Sequence, residues 1–226
     1  MFIIVNMSPS RRTTVRDIIL VCAADAILSV SYGATSVAGG LPPWVPIVMS
    51  LIVFSGGAQI AATSIVLAGG NPFAAIAAGA LLNTRLLPYG FTVADVTGGS
   101  WFKRLAGAHL TTDEAVAFAL RQDSPERRRY AFWTCGVALY VSWNVATVAG
   151  TVAGTMMNNT GTFGLDATFP AMMLALALPA ITRRRVAAAA GTGALAAVAL
   201  TPVLPVGLPV LASLGGLAWL RRGRSR

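Results

Sequence analysis

The sequence predicts an all-α fold, a polytopic bundle of about six to seven transmembrane helices that forms one integral membrane domain over residues 1–226. Only 11% of the residues are charged, whereas soluble domains carry about 25%. Hydrophobic residues make up 55% of the chain and gather into stretches near the roughly 20 residues needed to cross a bilayer. We therefore expect a multi-pass protein of the cell membrane, embedded in the lipid bilayer.

The basic residues provide a third observation, because they stand in short clusters between the apolar stretches. The net charge is +9, and such clusters mark the cytoplasmic side of membrane proteins. We expect the polar stretch 99–129 to be a cytoplasmic loop. The clusters form no basic domain, which argues against nucleic-acid binding. They are Arg11, Arg12 and Arg16; Lys103, Arg104, Arg121 and Arg127–Arg129; Arg183–Arg185; and Arg221, Arg222, Arg224 and Arg226.

The apolar segments, taken in order, define the predicted spans. They are Asp17–Ala38, Trp44–Ala68, Pro72–Val96, Tyr130–Met156 and Ala167–Thr182, followed by Val186–Leu220, which has room for one span or two short ones. Between the third and fourth, Thr111–Arg121 predicts an amphipathic helix, because threonine hydroxyls followed by Asp113 and Glu114 favour a helix start. The linker Asn158–Asp166 is rich in Asn, Gly and Thr.

Two segments carry signals for a broken helix. The second contains Ser55–Gln59, with two adjacent glycines, and the third contains Asn83–Pro88. Three full crossings before residue 99 would place the N-terminus opposite the polar stretch, despite the arginines at both places. Either the N-terminus lies outside, or one of the first three segments is re-entrant or broken. Irregular backbone at membrane depth is tolerated only where it is buried in protein or lines water.

A weak internal repeat is present. The motifs at 30–32 and 37–39 recur 111 positions later, at 141–143 and 148–150, and Pro46–Met49 is echoed by Pro170–Met173. The matches are short, so duplication and chance both remain open. Transporter folds often contain such repeats and bind their substrate where the repeats meet.

Arg85 is the most informative residue, because it is a permanent charge inside the apolar stretch Pro72–Val93. A guanidinium at the centre of a bilayer is costly, so we expect Arg85 to face a watery cavity or an anionic partner. Asp25 is the acid that lies well inside a segment. Removal from water favours the protonated form of a carboxyl group, which makes Asp25 a candidate for proton coupling. Alternatively, the two residues form a structural ion pair.

Other polar and small residues lie at the two predicted breaks. Ser55 and Gln59 are four residues apart and share a helix face. Gly56–Gly57 lets a substrate or another backbone approach closely. Asn83 and Tyr89 lie on either side of Arg85 in the sequence. Packing between helices explains the glycines and the glutamine equally well.

The remaining reactive residues predict no catalytic centre. Cys22 and Cys135 are expected to be buried, and two cysteines give neither a disulfide framework nor metal-ligand spacing. His109, the only histidine, is expected to be solvated in the polar stretch. No nucleophile is paired with a base at membrane depth, so we expect neither an enzyme nor a metal or cofactor site.

The order and spacing of these residues resemble a known family. Met49–Gln59 follows a Ser-x-x-x-Phe-x-Gly-x-x-Gln pattern, and Asn83-Thr84-Arg85 comes in the next segment. Both are similar to the AzlC family of branched-chain amino acid permeases, as are Asp113-Glu114 and Gly164-Leu165-Asp166. The resemblance extends over roughly residues 17–220. The first segment lacks the family's proline, and Leu86–Pro88 stands where the family more often has a histidine, departures that bear on the substrate.

The resemblance implies a secondary transporter, expected to be an exporter, of branched-chain or similar small amino acids across the cytoplasmic membrane. It also implies an AzlD-type small membrane subunit as partner. The alternatives are a passive channel and a non-transporting scaffold subunit of a membrane complex.

The predicted substrate site combines the residues at the two breaks. In this hypothesis Arg85, helped by Asn83, binds the substrate carboxylate, and Asp25 couples a proton. Ser55 and Gln59 contact the polar end of the substrate, while Phe54 receives its side chain. The full predicted set is Phe54, Ser55, Gly56, Gly57, Gln59, Asn83, Arg85 and Tyr89, with Asp25 for the proton.

Overall fold

The computed structural model describes residues 11–156, 181, 184–204, 209 and 212–217. These residues form helices and no β-strand, which confirms the predicted all-α class. The linker Asn158–Asp166, the echo at Pro170–Met173, the C-terminal arginine cluster and the fifth segment apart from Ile181 lie outside the described residues. The helices are α1 (Arg11–Ala38), α2 (Trp44–Val53), α3 (Gly56–Leu67), α4 (Pro72–Asn83), α5 (Leu86–Thr92), α6 (Ala94–Thr97), α7 (Trp101–His109), α8 (Asp113–Leu120), α9 (Pro125–Met156), α10 (Arg184–Leu200) and a 3₁₀ helix (Ser213–Leu217).

Two of these helices are long and apolar enough to cross a membrane. They are α1, over Thr14–Ala38, and α9, over Pro125–Met156. At about 1.5 Å per residue, the 32 residues of α9 extend over roughly 48 Å. The second and third predicted segments are divided into shorter helices, so the described residues hold two full-length candidates and the total of six to seven spans stays a prediction.

α1 and α9 pack side by side and run in the same direction. Gly33 lies beside Thr147, and Ala34 lies beside Gly154, so residue numbers rise together along both helices. A Cβ atom on Gly154 would lie 2.6 Å from the carbonyl oxygen of Ala34. Small residues therefore allow the two longest helices to touch through their backbones.

This parallel packing brings the first turns of α1 and α9 to one end of the molecule, which we call the basic end. Two ion pairs join neighbouring elements there: Asp17 lies 3.8 Å from Arg121, and Asp95 lies 3.1 Å from Arg128. The arginines that precede the first and the fourth segments therefore share one end. This removes the conflict between the N-terminus and the polar stretch.

The second segment folds back on itself as a hairpin of α2 and α3, the first hairpin, with its tip at Phe54–Ser55. Contacts of α2 with α9 move from Asn144 to Tyr140, toward the middle of α9. Contacts of α3 then move back from Trp143 of α9 to Gly39 at the end of α1. The hairpin therefore enters from the end opposite the basic end and returns to it, which is the re-entrant option that the sequence left open.

The tip of the first hairpin owes its shape to an unusual backbone. Phe54 has φ 37° and ψ 55°, in the left-handed region, and Ser55 is extended. A non-glycine residue in this region costs about 1–3 kcal/mol, so surrounding contacts must hold it. The Phe54 ring packs edge-on against Tyr140, with ring centroids 5.0 Å apart.

The third segment passes along the molecule as α4, α5 and α6, with an interruption at Thr84–Arg85. Pro88 lies four residues after Thr84 and has no N–H to donate to the Thr84 carbonyl, as an unbroken helix requires. The carbonyl instead accepts a 3.2 Å hydrogen bond from the N–H of Leu87. The break predicted over Asn83–Pro88 is confirmed, and its cause is local.

The polar stretch 99–129 differs from the predicted loop, because it forms a second hairpin from α7 and α8. Gly98, just before α7, contacts Arg129 at the basic end. Leu110, between the two helices, packs on Gly136 in the interior of α9, where a Cβ on the glycine would lie 3.1 Å from it. α8 then returns toward Arg121 at the basic end. The two hairpins enter from opposite ends, and their tips meet near the middle of α9.

α8 confirms the helix predicted within the polar stretch. The Thr112 hydroxyl caps it by accepting a 3.2 Å hydrogen bond from the N–H of Ala115. The buried face of α8 packs into the same core cluster as α9, through Ala115, Val116, Phe118 and Ala119. The charged residues of α8, Asp113 and Glu114, lie in its first turn. The 111-residue repeat relates parts of α1 and α9 and stays a prediction.

Candidate functional site

A cavity of about 100 Å³ lies where the two hairpin tips meet beside the interruption of the third segment. α1 and α9 close it through Leu28, Leu139 and Trp143. Breaks predicted in two separate segments thus come together in one site. Six of the nine predicted residues line the cavity: Asp25, Phe54, Ser55, Gly56, Gly57 and Arg85.

Arg85 lies at the centre of this arrangement. It follows α4 directly, and its guanidinium reaches between the two hairpins. A Cβ on Gly57 of the first hairpin would lie 3.7 Å from Nη2 of Arg85, and Nη1 is 3.1 Å from the Asp113 carboxylate of the second hairpin. The Arg85 side chain is 52% exposed, so the charge is open to a ligand that enters the cavity.

The proposed ion pair between Arg85 and Asp25 is not formed; the partner of Arg85 is Asp113. The sequence placed Asp113 in a solvated loop, whereas the second hairpin carries it to the level of the arginine. Asp25 is half-buried and lines the same cavity, together with Glu114 at the start of α8. Three carboxyl groups and one guanidinium therefore face one small space.

The N-terminus of α3 supplies further positive potential. The first backbone hydrogen bond of α3 runs from the N–H of Gln59 to the carbonyl of Ser55, so the N–H groups of Gly56 and Gly57 precede the internal ladder of the helix. Ser55 occupies the N-cap position but makes no capping bond with its side chain. Exposed N–H groups at a helix start favour an anion, and here they line the cavity beside Arg85.

Ser55 and Asn83 connect the two breaks. The Ser55 hydroxyl donates a 2.7 Å hydrogen bond to Oδ1 of Asn83, which is the last residue of α4. Asn83 does not line the cavity but holds the first hairpin to the helix that precedes Arg85. The structure therefore gives Asn83 a positioning role next to the site.

Gln59 lies behind the cavity and is fully buried. Its Oε1 accepts a 3.1 Å hydrogen bond from the indole N–H of Trp143, and its Nε2 donates a 3.4 Å bond to the carbonyl of Met49. Both polar ends of the side chain are thus engaged within the protein, so direct contact with a substrate does not fit this conformation. Gln59 holds the Trp143 ring, which itself forms one wall of the cavity.

The aromatic residues at the hairpin tips form a separate group. The rings of Phe54, His109 and Tyr140 lie within 6.0 Å of one another, centroid to centroid. His109 is half-buried, and its Nε2 lies 3.1 Å from the carbonyl oxygen of Leu51, which differs from the solvated side chain predicted. Tyr89 packs against the core cluster and lies outside the cavity lining.

Asp113 and Glu114 are the functional candidates that sequence reasoning missed. Their local signals were a pair of acids after a threonine cap, which is ordinary for any helix start, and a family-like pair that carried no assigned role. Their position beside Arg85 depends on the packing of Leu110 against Gly136, a contact between distant parts of the chain. Among the described residues, no group of three or more potential ligands is placed to hold a metal ion.

The chain matches a protein-family model. The family model described as AzlC protein matches residues 21–157, which is more than half of the chain and includes every residue that lines the cavity. No curated protein and no solved structure matches the chain.

Proposed function

The chain belongs to the AzlC family, and from this membership we propose that it is a secondary transporter that exports branched-chain or similar small amino acids across the cytoplasmic membrane. The family has a membrane-transport role, and two helices of sufficient length and apolarity agree with a membrane location. The observation that carries the proposal is Arg85, a charge held at a helix interruption between two opposed hairpins.

The proposed membrane arrangement follows from the basic end. Clusters of arginine favour the cytoplasm, so the basic end is the cytoplasmic side. α1, the α4–α6 segment and α9 then cross the bilayer. The first hairpin enters from outside and the second from the cytoplasm, so their tips and Arg85 lie near the midplane, where substrate sites of transporters with broken helices are found.

The substrate carboxylate binds between Arg85 and the N-terminus of α3. A guanidinium forms two parallel hydrogen bonds with a carboxylate, and the N–H groups of Gly56 and Gly57 add partial positive charge from the facing side. Asn83 supports this arrangement through Ser55. Arg85 and the N-terminus of α3, the two positive groups of the proposed site, both lie at helix interruptions, where backbone groups are free to contact a ligand.

The apolar part of the substrate packs against the other cavity walls. Leu28, Phe54, Ile60 and Leu139 line the same cavity as the charged groups, and this apolar lining suits a branched aliphatic side chain. Asp25 carries the coupled proton, because it lines the same cavity and, among the described residues, has no ion-pair partner. An AzlD-type small membrane subunit completes the transporter.

The test is transport of radiolabelled valine, leucine and isoleucine in vesicles that contain the protein with its small subunit. Arg85→Ala should lower transport at least ten-fold, because hydrogen bonds to a charged group contribute about 1.5–3 kcal/mol. Arg85→Lys should recover only part of it, since lysine cannot form the paired bonds. Arg121→Ala, which removes an exposed arginine from the basic end, serves as the matched control and should transport normally.

Two results would contradict this proposal. Transport at the wild-type rate in both Arg85 variants would remove the arginine from the site. Collapse of the proton gradient should slow transport by the wild type and should have less effect on Asp25→Asn. If the collapse leaves wild-type transport unchanged, or affects the two proteins equally, Asp25 does not couple a proton. A passive channel would show fluxes that do not saturate with substrate concentration, whereas the proposed transporter shows a defined KM.

A further inference from the structure

We propose that Asp113 is a gating residue of this site: its carboxylate occupies Arg85 while the site is empty, and the substrate carboxylate displaces it and thereby frees the start of α8 in the second hairpin. This inference rests on the proposed transport function. It assigns to the second hairpin a moving role that is coupled directly to substrate binding.

Asp113 presents to Arg85 the same chemical group as an amino-acid substrate does. The group that contacts Arg85 at 3.1 Å is a carboxylate, the same group that an amino-acid substrate presents. One guanidinium edge forms its paired hydrogen bonds with one carboxylate at a time. A substrate carboxylate and Asp113 therefore compete for the same donors on Arg85.

The cavity beside Arg85 is smaller than an ordinary ligand pocket. Ligand pockets usually enclose about 300 Å³ or more, whereas this cavity measures about 100 Å³. Asp113 and Thr112 form part of its wall. Movement of the second hairpin away from Arg85 enlarges the cavity at the place where the substrate carboxylate binds.

The ion pair between Arg85 and Asp113 is weak enough to be exchanged. The side chains of Arg85 and Asp113 are 52% and 38% exposed, and ion pairs with this exposure contribute little because water screens them. A ligand carboxylate can therefore replace Asp113, and the competition weakens binding by no more than about five-fold. A fully buried pair would resist such exchange.

Contacts other than the ion pair also hold the second hairpin. Its tip is fixed by the packing of Leu110 on Gly136 and by the 3.1 Å contact between His109 and the carbonyl of Leu51. The pair with Asp113 is the ionic contact between the tip of this hairpin and the third segment. Substrate binding removes that contact, while the buried face of α8 keeps its packing in the core cluster, so the movement is confined to the start of α8 around Thr112 and Asp113.

The test uses the purified protein with its small subunit, with valine as the probe. Asp113→Asn removes the competing charge, so valine should bind two-fold to five-fold more tightly and turnover should fall, because binding no longer triggers release. Asp95→Asn is the matched control: it removes the same charge from an ion pair of the same 3.1 Å length, Asp95–Arg128, which lies at the basic end outside the cavity lining. It should not tighten binding.

A second readout follows the hairpin itself. Thr112→Cys in a Cys22→Ser, Cys135→Ser background provides a single label at the tip. Valine should raise its labelling rate by a thiol reagent several-fold, and Asp113→Asn should give the raised rate without valine. Asp113→Glu, which keeps the carboxylate, should retain the dependence on valine. If Asp113→Asn does not fold, Asp113→Ser removes the same charge and has the same expected results.

The outcomes separate this inference from the proposed function. If the wild type binds no amino acid and Arg85→Ala changes nothing, the proposed function fails. If the wild type binds valine through Arg85, the gating role is overturned by either of two results: weaker or unchanged valine binding in Asp113→Asn, or equal tightening in Asp95→Asn.

Discussion

Two adjacent glycines at the start of α3 allow a sharp prediction, because the same substitution has opposite consequences at each. A Cβ on Gly56 would lie 2.6 Å from Cη2 of Trp143, whereas a Cβ on Gly57 would lie 3.7 Å from Nη2 of Arg85. The first distance forces the indole ring to move. The second is ordinary van der Waals contact, but the added methyl group lies in the proposed carboxylate site.

The expected magnitudes follow from these contacts. Trp143 is only 6% exposed and donates a hydrogen bond to Gln59. Overpacking of a buried side chain costs about 1–3 kcal/mol, so Gly56→Ala should lower the free energy of unfolding by about 2 kcal/mol. Gly57→Ala should leave stability equal or raise it by about 0.4–1 kcal/mol, because alanine restricts the unfolded chain. The same methyl group should weaken valine binding by about 1 kcal/mol or more, roughly five-fold.

The assay combines two measurements on each variant in detergent. Tryptophan fluorescence during denaturation reports stability, and titration with valine reports affinity. We expect Gly56→Ala to fail mainly in stability and Gly57→Ala mainly in affinity. Equal destabilisation by both substitutions, or a Gly56→Ala variant as stable as wild type, would refute the assigned packing of the hairpin tip.

Three further predictions test other parts of the fold. Pro88→Ala restores the missing N–H donor, so α4 and α5 should join with equal or higher thermal stability, and turnover measured in vesicles should fall; unchanged turnover would mean that the interruption is not needed. Ser55→Ala and Asn83→Ala should show a coupling of about 0.5–1.5 kcal/mol in a double-mutant cycle of unfolding free energies, and simple additivity would exclude a significant bond between them. Gly154→Val should destabilise the protein by about 1–3 kcal/mol by separating α1 from α9, as measured by thermal unfolding, and wild-type stability would exclude their close parallel packing.

The positions of the chain breaks could be predicted from sequence because their causes are local. Pro88 removes one hydrogen bond from the preceding turn, whatever surrounds it. Gly56–Gly57 permits close approach at the start of α3. Six of the nine residues proposed from the sequence line the cavity, since the cavity forms at these two breaks, and their role in substrate binding stays a prediction.

The second hairpin could not be predicted in the same way. Its charged residues gave the stretch 99–129 the composition of a loop, and only contact with α9 shows that one face of α8 is buried. The partner of Arg85 could not be identified from the sequence for this reason, because Asp113 gains its position from long-range packing, and the pair with Asp25 was one of two alternatives. The hydrogen bond that Trp143 donates to Gln59 joins residues 84 positions apart, so nothing in the sequence indicated it either.

The orientation of the first segments was an open choice in the sequence, and helix packing resolves how they run relative to one another. Counting apolar segments alone made the second segment a full span. Contacts of the first hairpin with Tyr140 and Trp143 of α9 show that it returns to the end from which it came. Hydropathy measures whether a segment is apolar and carries no information on whether it turns back.

The central claim is that Arg85 recognises the carboxylate of the substrate. The most direct measurement compares the binding of valine with that of valinamide, which keeps the side chain and the amine but lacks the negative charge. The wild type should prefer valine at least ten-fold, consistent with a charged hydrogen bond of about 1.5–3 kcal/mol, and Arg85→Ala should bring the ratio close to one. A preference for valine that persists undiminished in Arg85→Ala would contradict the account.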